Sequence, residues 1–96
     1  MKVKNINGLS IDACVCGSWL GHWKRFSQEF VPIFCSEENC PEKPEVGALV
    51  QKDSPTDNNW YIIPLCKWHS RKTGKSIIIN DNVTLVSANV SETCGK

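Results

Sequence analysis

The sequence predicts a small α+β domain in which several short strands accompany two short helices. Short apolar runs bounded by Gly, Pro, Asn and Asp recur along the chain, and such runs are typical of strands joined by turns. The aromatic residues of the stretch 18–26 recur at helical spacing instead. The chain has 96 residues, so we expect a single domain, 1–96. Its apolar core must be modest, because a chain of this length buries only about two-thirds of its unfolded surface.

The N-terminal part of the chain predicts one strand and one helix. Residues 1–7 are polar, and we expect them to fray. Apolar residues then alternate from Gly8 to Cys16, which predicts an N-terminal strand. Ser18 is a suitable N-cap for a helix that begins at Trp19. One face of this helix would be formed by Trp19, His22, Trp23 and Phe26.

A hairpin followed by a short helix is predicted in the middle of the chain. Residues 47–52 and 60–65 have strand character, and the run between them, 53–59, consists of turn-forming residues. Residues 66–72 suit a short helix that ends at Gly74. Two further strands are expected beyond it, at 76–79 and 83–86.

The cysteine content raises the question of compartment. The N-terminus lacks the apolar region of a secretory signal, and no apolar run approaches the roughly 18 residues of a transmembrane helix. We therefore expect a cytoplasmic protein without membrane association, whose six cysteines stay reduced. In that setting cysteines serve as metal ligands or redox groups more often than as disulfides. A secreted, disulfide-linked domain whose signal has been removed stays open as an alternative.

Two pairs of metal-ligand residues flank the predicted hairpin. Cys35 and Cys40 have four residues between them, and Cys66 and His69 have two. The second pair lies at positions i and i+3, on one side of a helical turn. Zinc takes four such ligands tetrahedrally, two from a loop and two from a helix start. The spacing therefore predicts one zinc ion held by these four residues, although the first pair is spaced slightly wider than the tightest zinc knuckles.

The order of knuckle, hairpin and ligand-bearing helix resembles a treble clef. The stretches Gly47-Ala-Leu-Val and Trp60-Tyr-Ile-Ile-Pro-Leu-Cys-Lys-Trp-His-Ser are, within it, similar to the ββα-metal core of HNH nucleases. The resemblance covers about residues 35–74. It implies a small treble-clef-like zinc domain with added N-terminal and C-terminal elements.

The departures from the HNH pattern concern its catalytic positions. Leu49 stands where the resemblance places a general-base histidine, and Ser70 stands where a further histidine often follows. Asn58 or Asn59 could occupy the asparagine position of the family, but asparagine is ordinary in a turn. Hydrolysis needs a base and ligands for a catalytic divalent ion. The resemblance therefore implies a degenerate domain that keeps the fold without the chemistry.

The remaining cysteines leave three interpretations open. Cys14 and Cys16 point to one face of a strand, and His22 or Cys94 could complete a second metal site with them. The pair could also act as a thiol redox pair, although a disulfide across so short a loop is strained. In the third interpretation these residues are small apolar side chains of the core, and His22 is a packed helix residue. The sequence thus predicts one zinc ion and leaves a second one open.

The charge balance excludes a strongly electrostatic protein but allows a local patch. The chain carries 11 basic and 10 acidic residues, a net charge of +1. Four basic residues nevertheless cluster along and after the second predicted helix and are candidates for nucleic-acid contacts: Lys67, Arg71, Lys72 and Lys75. The same residues would also complement the helix dipole as a solvated surface, without any ligand.

The function expected from these features is that of a small, non-enzymatic zinc-binding module that binds another macromolecule. The partner could be a nucleic acid or a protein, and small accessory or regulatory proteins of bacteria and phages are an analogy. No small-molecule substrate is indicated. One rival is an active metal-dependent nuclease that uses His22, Asp53 or Asp57. The other is a thiol redox protein that uses Cys14 and Cys16.

Overall fold

Within the part of the chain that the structure describes, a five-stranded antiparallel sheet and two helices form the fold, which confirms the α+β class. The computed structural model describes residues 1–6, 18–54, 56, 57 and 59–89. The elements in chain order are β1 (Lys2–Asn5), α1 (Trp19–Ser27), β2 (Val46–Lys52), β3 (Trp60–Leu65), α2 (Lys67–Ser70), β4 (Ser76–Ile78) and β5 (Val86–Ser87). The strand order in the sheet is β4-β1-β2-β3-β5. The strand predicted from Gly8 to Cys16 lies outside the described residues.

The hairpin formed by β2 and β3 is the centre of the sheet and confirms the sequence prediction. Its register runs from Val46 opposite Leu65 to Gln51 opposite Trp60. Apolar residues occupy successive positions of both strands, so both faces of the hairpin are buried. The sheet is therefore a middle layer with a core on each side.

Helix α1 covers one face of the sheet. Trp23 packs there against Leu49 and Ile62. The helix begins as predicted, because the Ser18 hydroxyl accepts a hydrogen bond from the backbone N–H of Gly21 (3.0 Å). With 9 residues α1 is the longer helix, and no helix within the described ranges has the length and apolar character needed to cross a membrane.

The opposite face of the sheet carries a second core, in which two cysteines take part. Val50 and Ile63 pack there with Cys35 and Cys66. The loop 35–40 and helix α2 cover this face. The sheet thus separates the aromatic helix from the cysteine-rich region.

Residues 1–6 do not fray, contrary to the expectation for 1–7, of which residue 7 lies outside the described residues. Strand β1 lies inside the sheet, where it pairs with β2 on one side and β4 on the other. Val3 and Asn5 are fully buried. The local sequence is polar, but pairing on both sides satisfies the backbone of this strand regardless of its composition.

The C-terminal elements are shorter than the sequence predicts. Strand β4 agrees with the prediction at 76–79, but the strand predicted at 83–86 is reduced to the two residues of β5. The carbonyl of Thr84 accepts a hydrogen bond from Nε1 of Trp23 (2.9 Å) and so serves a side chain of α1 rather than a strand. Helix α2 is a single turn of 4 residues.

Candidate metal centre

The loop that carries the first ligand pair is closed by its own backbone hydrogen bonds. The N–H of Cys35 donates to the carbonyl of Glu42 (2.8 Å), and the N–H of Cys40 donates to that of Glu37 (3.2 Å). Asn39 has a φ of 69°, a left-handed conformation that asparagine tolerates better than most residues. This turn reverses the chain and brings both thiols to the same side of the loop.

Backbone hydrogen bonds also fix this loop to the sheet. The N–H of Ser36 donates to the carbonyl of Pro64 in β3 (3.1 Å), and the N–H of Glu38 donates to that of Ile78 in β4 (2.8 Å). Glu37 forms an isolated bridge with Ile79. The loop that carries the first ligand pair is therefore attached to two strands, β3 and β4, that are not neighbours in the sheet.

The second ligand pair comes from the junction of β3 and α2. Cys66 is the N-cap of α2, and its Sγ accepts a hydrogen bond from the backbone N–H of His69 (3.4 Å). The carbonyl of Cys66 accepts from the N–H of Ser70 (3.0 Å). One helical turn thus places the imidazole of His69 beside the thiol of Cys66, as the i, i+3 spacing predicts.

The four predicted ligands come together in one cluster. The ligand atoms of Cys35, Cys40, Cys66 and His69 all lie within 4.8 Å of one another. Nδ1 of His69 lies 3.2 Å from Sγ of Cys66 and 3.6 Å from Sγ of Cys35. The sulfurs of Cys40 and Cys66 are 4.0 Å apart. These residues lie close enough to hold one metal ion.

The separations can be compared with the edges of a zinc tetrahedron. Bond lengths of about 2.3 Å to sulfur and about 2.0 Å to nitrogen give edges of roughly 3.8 Å between sulfurs and roughly 3.5 Å between sulfur and nitrogen. The distances of 4.0, 3.6 and 3.2 Å lie within half an ångström of these edges. A disulfide needs sulfurs about 2.05 Å apart, so all three cysteines are free thiols.

Burial makes two thiols of this cluster, those of Cys35 and Cys40, reluctant to ionise without a cation. It raises the pKa of Cys35 from 9.0 to about 12, although the backbone N–H groups of Cys66 and Glu37 oppose the shift. Burial also raises the pKa of Cys40. A bound divalent cation would supply the positive charge that favours the thiolate form, as metal sites require of their cysteine ligands.

A carboxylate stands behind the histidine of the cluster. Nδ1 of His69 faces the sulfurs, and Nε2, on the other side of the ring, lies 3.8 Å from Oε2 of Glu37. Histidine ligands of metals commonly direct their second nitrogen at a carboxylate, which orients the ring. Glu37 was not predicted, because its role depends on the fold of the loop and not on a sequence spacing.

Asn5 is a second residue of the site that the sequence did not reveal. Its side chain is fully buried, and Nδ2 donates to the carbonyls of His69 (2.7 Å) and Ser70 (3.2 Å) at the end of α2. A helix this short has no further turn whose N–H groups could donate to these carbonyls, so Asn5 supplies the donor and ties the helix to β1. In the sequence, Asn5 is one of two polar residues between Val3 and Ile6, and this pattern does not distinguish a buried polar side chain from an exposed one.

The residues at the catalytic positions of the HNH pattern are structural. Leu49 is buried among the residues under α1, on the face of the sheet away from the cluster. Ser70 is buried, and its hydroxyl donates to the carbonyl of Lys67 (2.9 Å). Neither side chain faces the solvent.

The structure does not assemble the rival catalytic residues at the cluster either. His22 is fully buried between the rings of Trp19 and Phe26, and its Nε2 donates to the carbonyl of Ser87 (2.8 Å). Asp57, in the loop between β2 and β3, accepts from the hydroxyl of Tyr61 (2.8 Å). Asp53 pairs instead with Lys2 (3.8 Å).

Most of the residues predicted for a second metal site lie outside the described residues. Cys14, Cys16 and Cys94 lie there, and His22 alone of that set is described. The packing of His22 agrees with its interpretation as a core residue of α1. The second site stays a prediction.

The predicted basic cluster surrounds an exposed tryptophan on α2. Lys67 pairs with Glu45 (3.3 Å). Nζ of Lys72 lies 4.2 Å from the ring centroid of Trp68, whose side chain is 65% exposed. Arg71 and Lys75 are exposed as well.

No protein-family model matches the chain, and neither curated proteins nor solved structures yield a match. The functional conclusions therefore come from the geometry of the described residues.

Proposed function

We propose that the chain is a non-enzymatic zinc-binding module that binds another macromolecule, with zinc serving as a structural ion. The observation that carries this proposal is the convergence of Cys35, Cys40, Cys66 and His69, whose ligand atoms lie within 4.8 Å of one another. Two of these residues come from a loop and two from a helix start, so the cluster results from the fold and not from sequence proximity.

The chemistry of the donor set supports zinc over other common ions. Three sulfurs and one imidazole nitrogen are the ligands of a familiar class of structural zinc site, whereas Mg²⁺ and Ca²⁺ prefer oxygen. A catalytic zinc keeps one position open for water, but four protein ligands fill the tetrahedron here. Zinc in this cluster would therefore hold structure together without activating water.

The position of the cluster indicates what zinc would stabilise. Cys35 and Cys66 belong to the core on this face of the sheet, and Cys40 packs against it. Small domains often supplement a modest core with a metal. Zinc would join the loop, β3 and α2 into one unit.

The order of loop, hairpin and helix supports a relationship to the treble-clef and HNH-like domains. Leu49 and Ser70 support a degenerate member of that group, because both are buried and neither can accept a proton from water at pH 7. The single turn of α2 is short for such a domain. Binding rather than hydrolysis is the activity that remains.

Exposed apolar residues support a role in binding. Phe30 is 96% exposed and Ile33 is 82% exposed, and Phe34 follows directly with more than half of its surface exposed. Contiguous apolar surface of this kind marks interaction sites in soluble domains more often than scattered exposed residues do.

Native mass spectrometry of the purified full chain tests the proposal. We expect at least one zinc ion per chain, and its loss in a Cys66→Ser variant. A Cys16→Ser or Cys94→Ser variant that loses a second ion would establish a second site, and an unchanged count would remove it. A metal-free chain that stays folded would overturn the structural role of zinc.

Two assays separate the rival functions from the proposal. Magnesium- or manganese-dependent nicking of plasmid DNA, lost in His22→Ala, would support a nuclease. Thiols that react before any chelator is added would support a redox protein, since zinc-bound thiolates become available only after metal removal. We expect neither result.

A further inference from the structure

An exposed indole lies at the centre of a basic surface next to the candidate metal centre. We call the surface formed by Trp68, Arg71, Lys72 and Lys75 the α2 surface. The side chain of Trp68 is 65% exposed, and the residue before His69 in the chain is this tryptophan. A metal bound by His69 would therefore fix the backbone that carries the indole.

The α2 surface carries three basic residues, Arg71, Lys72 and Lys75. Within the described residues, Arg71, Lys72 and Lys75 form no ion pair with a carboxylate, whereas Lys67 is paired with Glu45 at 3.3 Å. The whole chain carries a net charge of +1, so everything outside these three cations sums to −2. Glu37, the acidic residue bordering the surface, lies 3.8 Å from the imidazole of His69.

The indole of Trp68 and two of the three cations, Lys72 and Lys75, border one shallow groove, which Glu37 also lines. The groove, of about 420 Å³, lies between α2 and β4, and Trp68, Lys72, Lys75 and Ile78 contribute to its walls. Nζ of Lys72 lies above the indole ring, 4.2 Å from its centroid. The exposed indole and two ammonium groups, one of which lies over the indole ring, therefore border the same groove.

These features match a single-stranded polyanion with flat rings. Proteins bind single strands by stacking unpaired bases on aromatic side chains while cations follow the phosphates. In a duplex the base faces are already stacked, so an indole cannot reach them without unstacking the helix. Lysine, which supplies two of the three cations, is depleted at protein interfaces, whereas tryptophan and arginine are enriched there.

We propose that the α2 surface binds single-stranded nucleic acid, with an unpaired base stacked on Trp68 and phosphates contacting Arg71, Lys72 and Lys75. The inference rests on the proposed function, because zinc held by Cys66 and His69 keeps α2 in place. The inference goes beyond the proposed function because it names the partner as single-stranded nucleic acid, where the proposed function allows any macromolecule.

Fluorescence anisotropy of the zinc-loaded full chain tests the inference. The probes are fluorescein-labelled oligothymidylate and oligouridylate of about 20 nucleotides, longer than the site of one small binding module, and a DNA duplex of equal length. We expect both single strands to bind and the duplex to bind at least ten times more weakly, about 1.4 kcal/mol. The logarithm of affinity should fall with that of salt concentration with a slope of about −2, from roughly −0.7 per phosphate contact.

Variants separate stacking from general charge attraction. Trp68→Ala should weaken binding by about 5- to 150-fold, the range for loss of one stacked base, while Trp68→Phe keeps most of the affinity. Lys75→Ala should reduce the salt slope by about 0.7. Lys24→Ala, on the opposite face of the sheet, should bind like the unaltered chain.

Several outcomes would overturn the inference. They are duplex binding as tight as single-strand binding, a Trp68→Ala variant with unchanged affinity, and no binding at low salt by a chain shown to carry zinc. The last result would leave the zinc module in place and turn the search towards protein partners. A chain that folds without zinc would overturn the proposed function instead, and the Trp68→Ala comparison would still decide whether the α2 surface binds.

Discussion

Individual side chains outside the four ligands hold the candidate metal centre in shape. Asn5 ties the end of α2 to β1 through two hydrogen bonds, and Glu37 stands behind the imidazole of His69. Each acts on a ligand through the backbone or the ring and not on the ion itself. Both can be tested without removing a ligand.

Replacement of Asn5 should destabilise the fold. In Asn5→Ala the carbonyls of His69 and Ser70 lose their donor in a buried position, which costs about 1–3 kcal/mol. Urea unfolding of the zinc-loaded protein measures the change. Lys4→Ala is the matched control, because Lys4 is exposed on the same strand and should stay within about 0.5 kcal/mol of the unaltered chain.

Replacement of Glu37 should weaken zinc without unfolding the chain. Glu37→Gln removes the carboxylate charge beside Nε2 of His69, and loss of such a partner typically costs about 10- to 100-fold in metal affinity. Competition with a chromophoric chelator measures this affinity. Glu38→Gln alters the exposed neighbouring residue and should leave the affinity unchanged; equal affinities for all three proteins would contradict the role of Glu37.

At the scale of elements, different interactions attach the two layers to the sheet: α1 on one face, and the loop 35–40 with α2 on the other. Helix α1 is seated by close contact with Gly47 in β2, because a Cβ there would lie 2.3 Å from the carbonyl carbon of Trp19. The loop 35–40 and α2 are instead fixed by backbone hydrogen bonds and by the ligand cluster. Packing holds one layer and, by our proposal, metal holds the other.

Gly47→Ala should therefore disturb α1 and spare the metal centre. The added methyl must push the helix backbone away from β2, and overpacking of this kind costs about 1–3 kcal/mol. We expect a lower urea midpoint with an unchanged zinc count. Gly74→Asn is the contrasting variant, since a Cβ at Gly74 meets no atom within 4 Å and asparagine tolerates its φ of 85°.

At the scale of the whole molecule, metal binding should be coupled to the release of protons from the cysteine ligands. Because burial raises the pKa of Cys35 to about 12 and also raises that of Cys40, both thiols are protonated at pH 7 in the metal-free fold. Zinc binds their thiolates, so its binding should release at least these two protons, and its affinity should fall as pH falls. Calorimetry in buffers of different ionisation enthalpy counts the protons; a count of zero would contradict the ligand assignment.

The parts that sequence alone could predict are those set by local spacing. The hairpin follows from turn residues between two apolar runs, the start of α1 follows from Ser18, and the second ligand pair follows from one helical turn. Strand β1 and the role of Asn5 could not be predicted, because they depend on pairing with residues 45 or more positions away along the chain. The same is true of Glu37, which reaches His69 only after the loop has folded onto the sheet.

The zinc content of the purified full chain, followed by chelation, tests the central claim most directly. We expect native mass spectrometry to find at least one zinc ion per chain, and Cys66→Ser to lack it. A strong chelator should remove the ion and abolish the near-ultraviolet circular dichroism of the tryptophans, because structural zinc sites contribute folding energy. A chain that carries no metal and keeps this signal in the chelator would contradict the account.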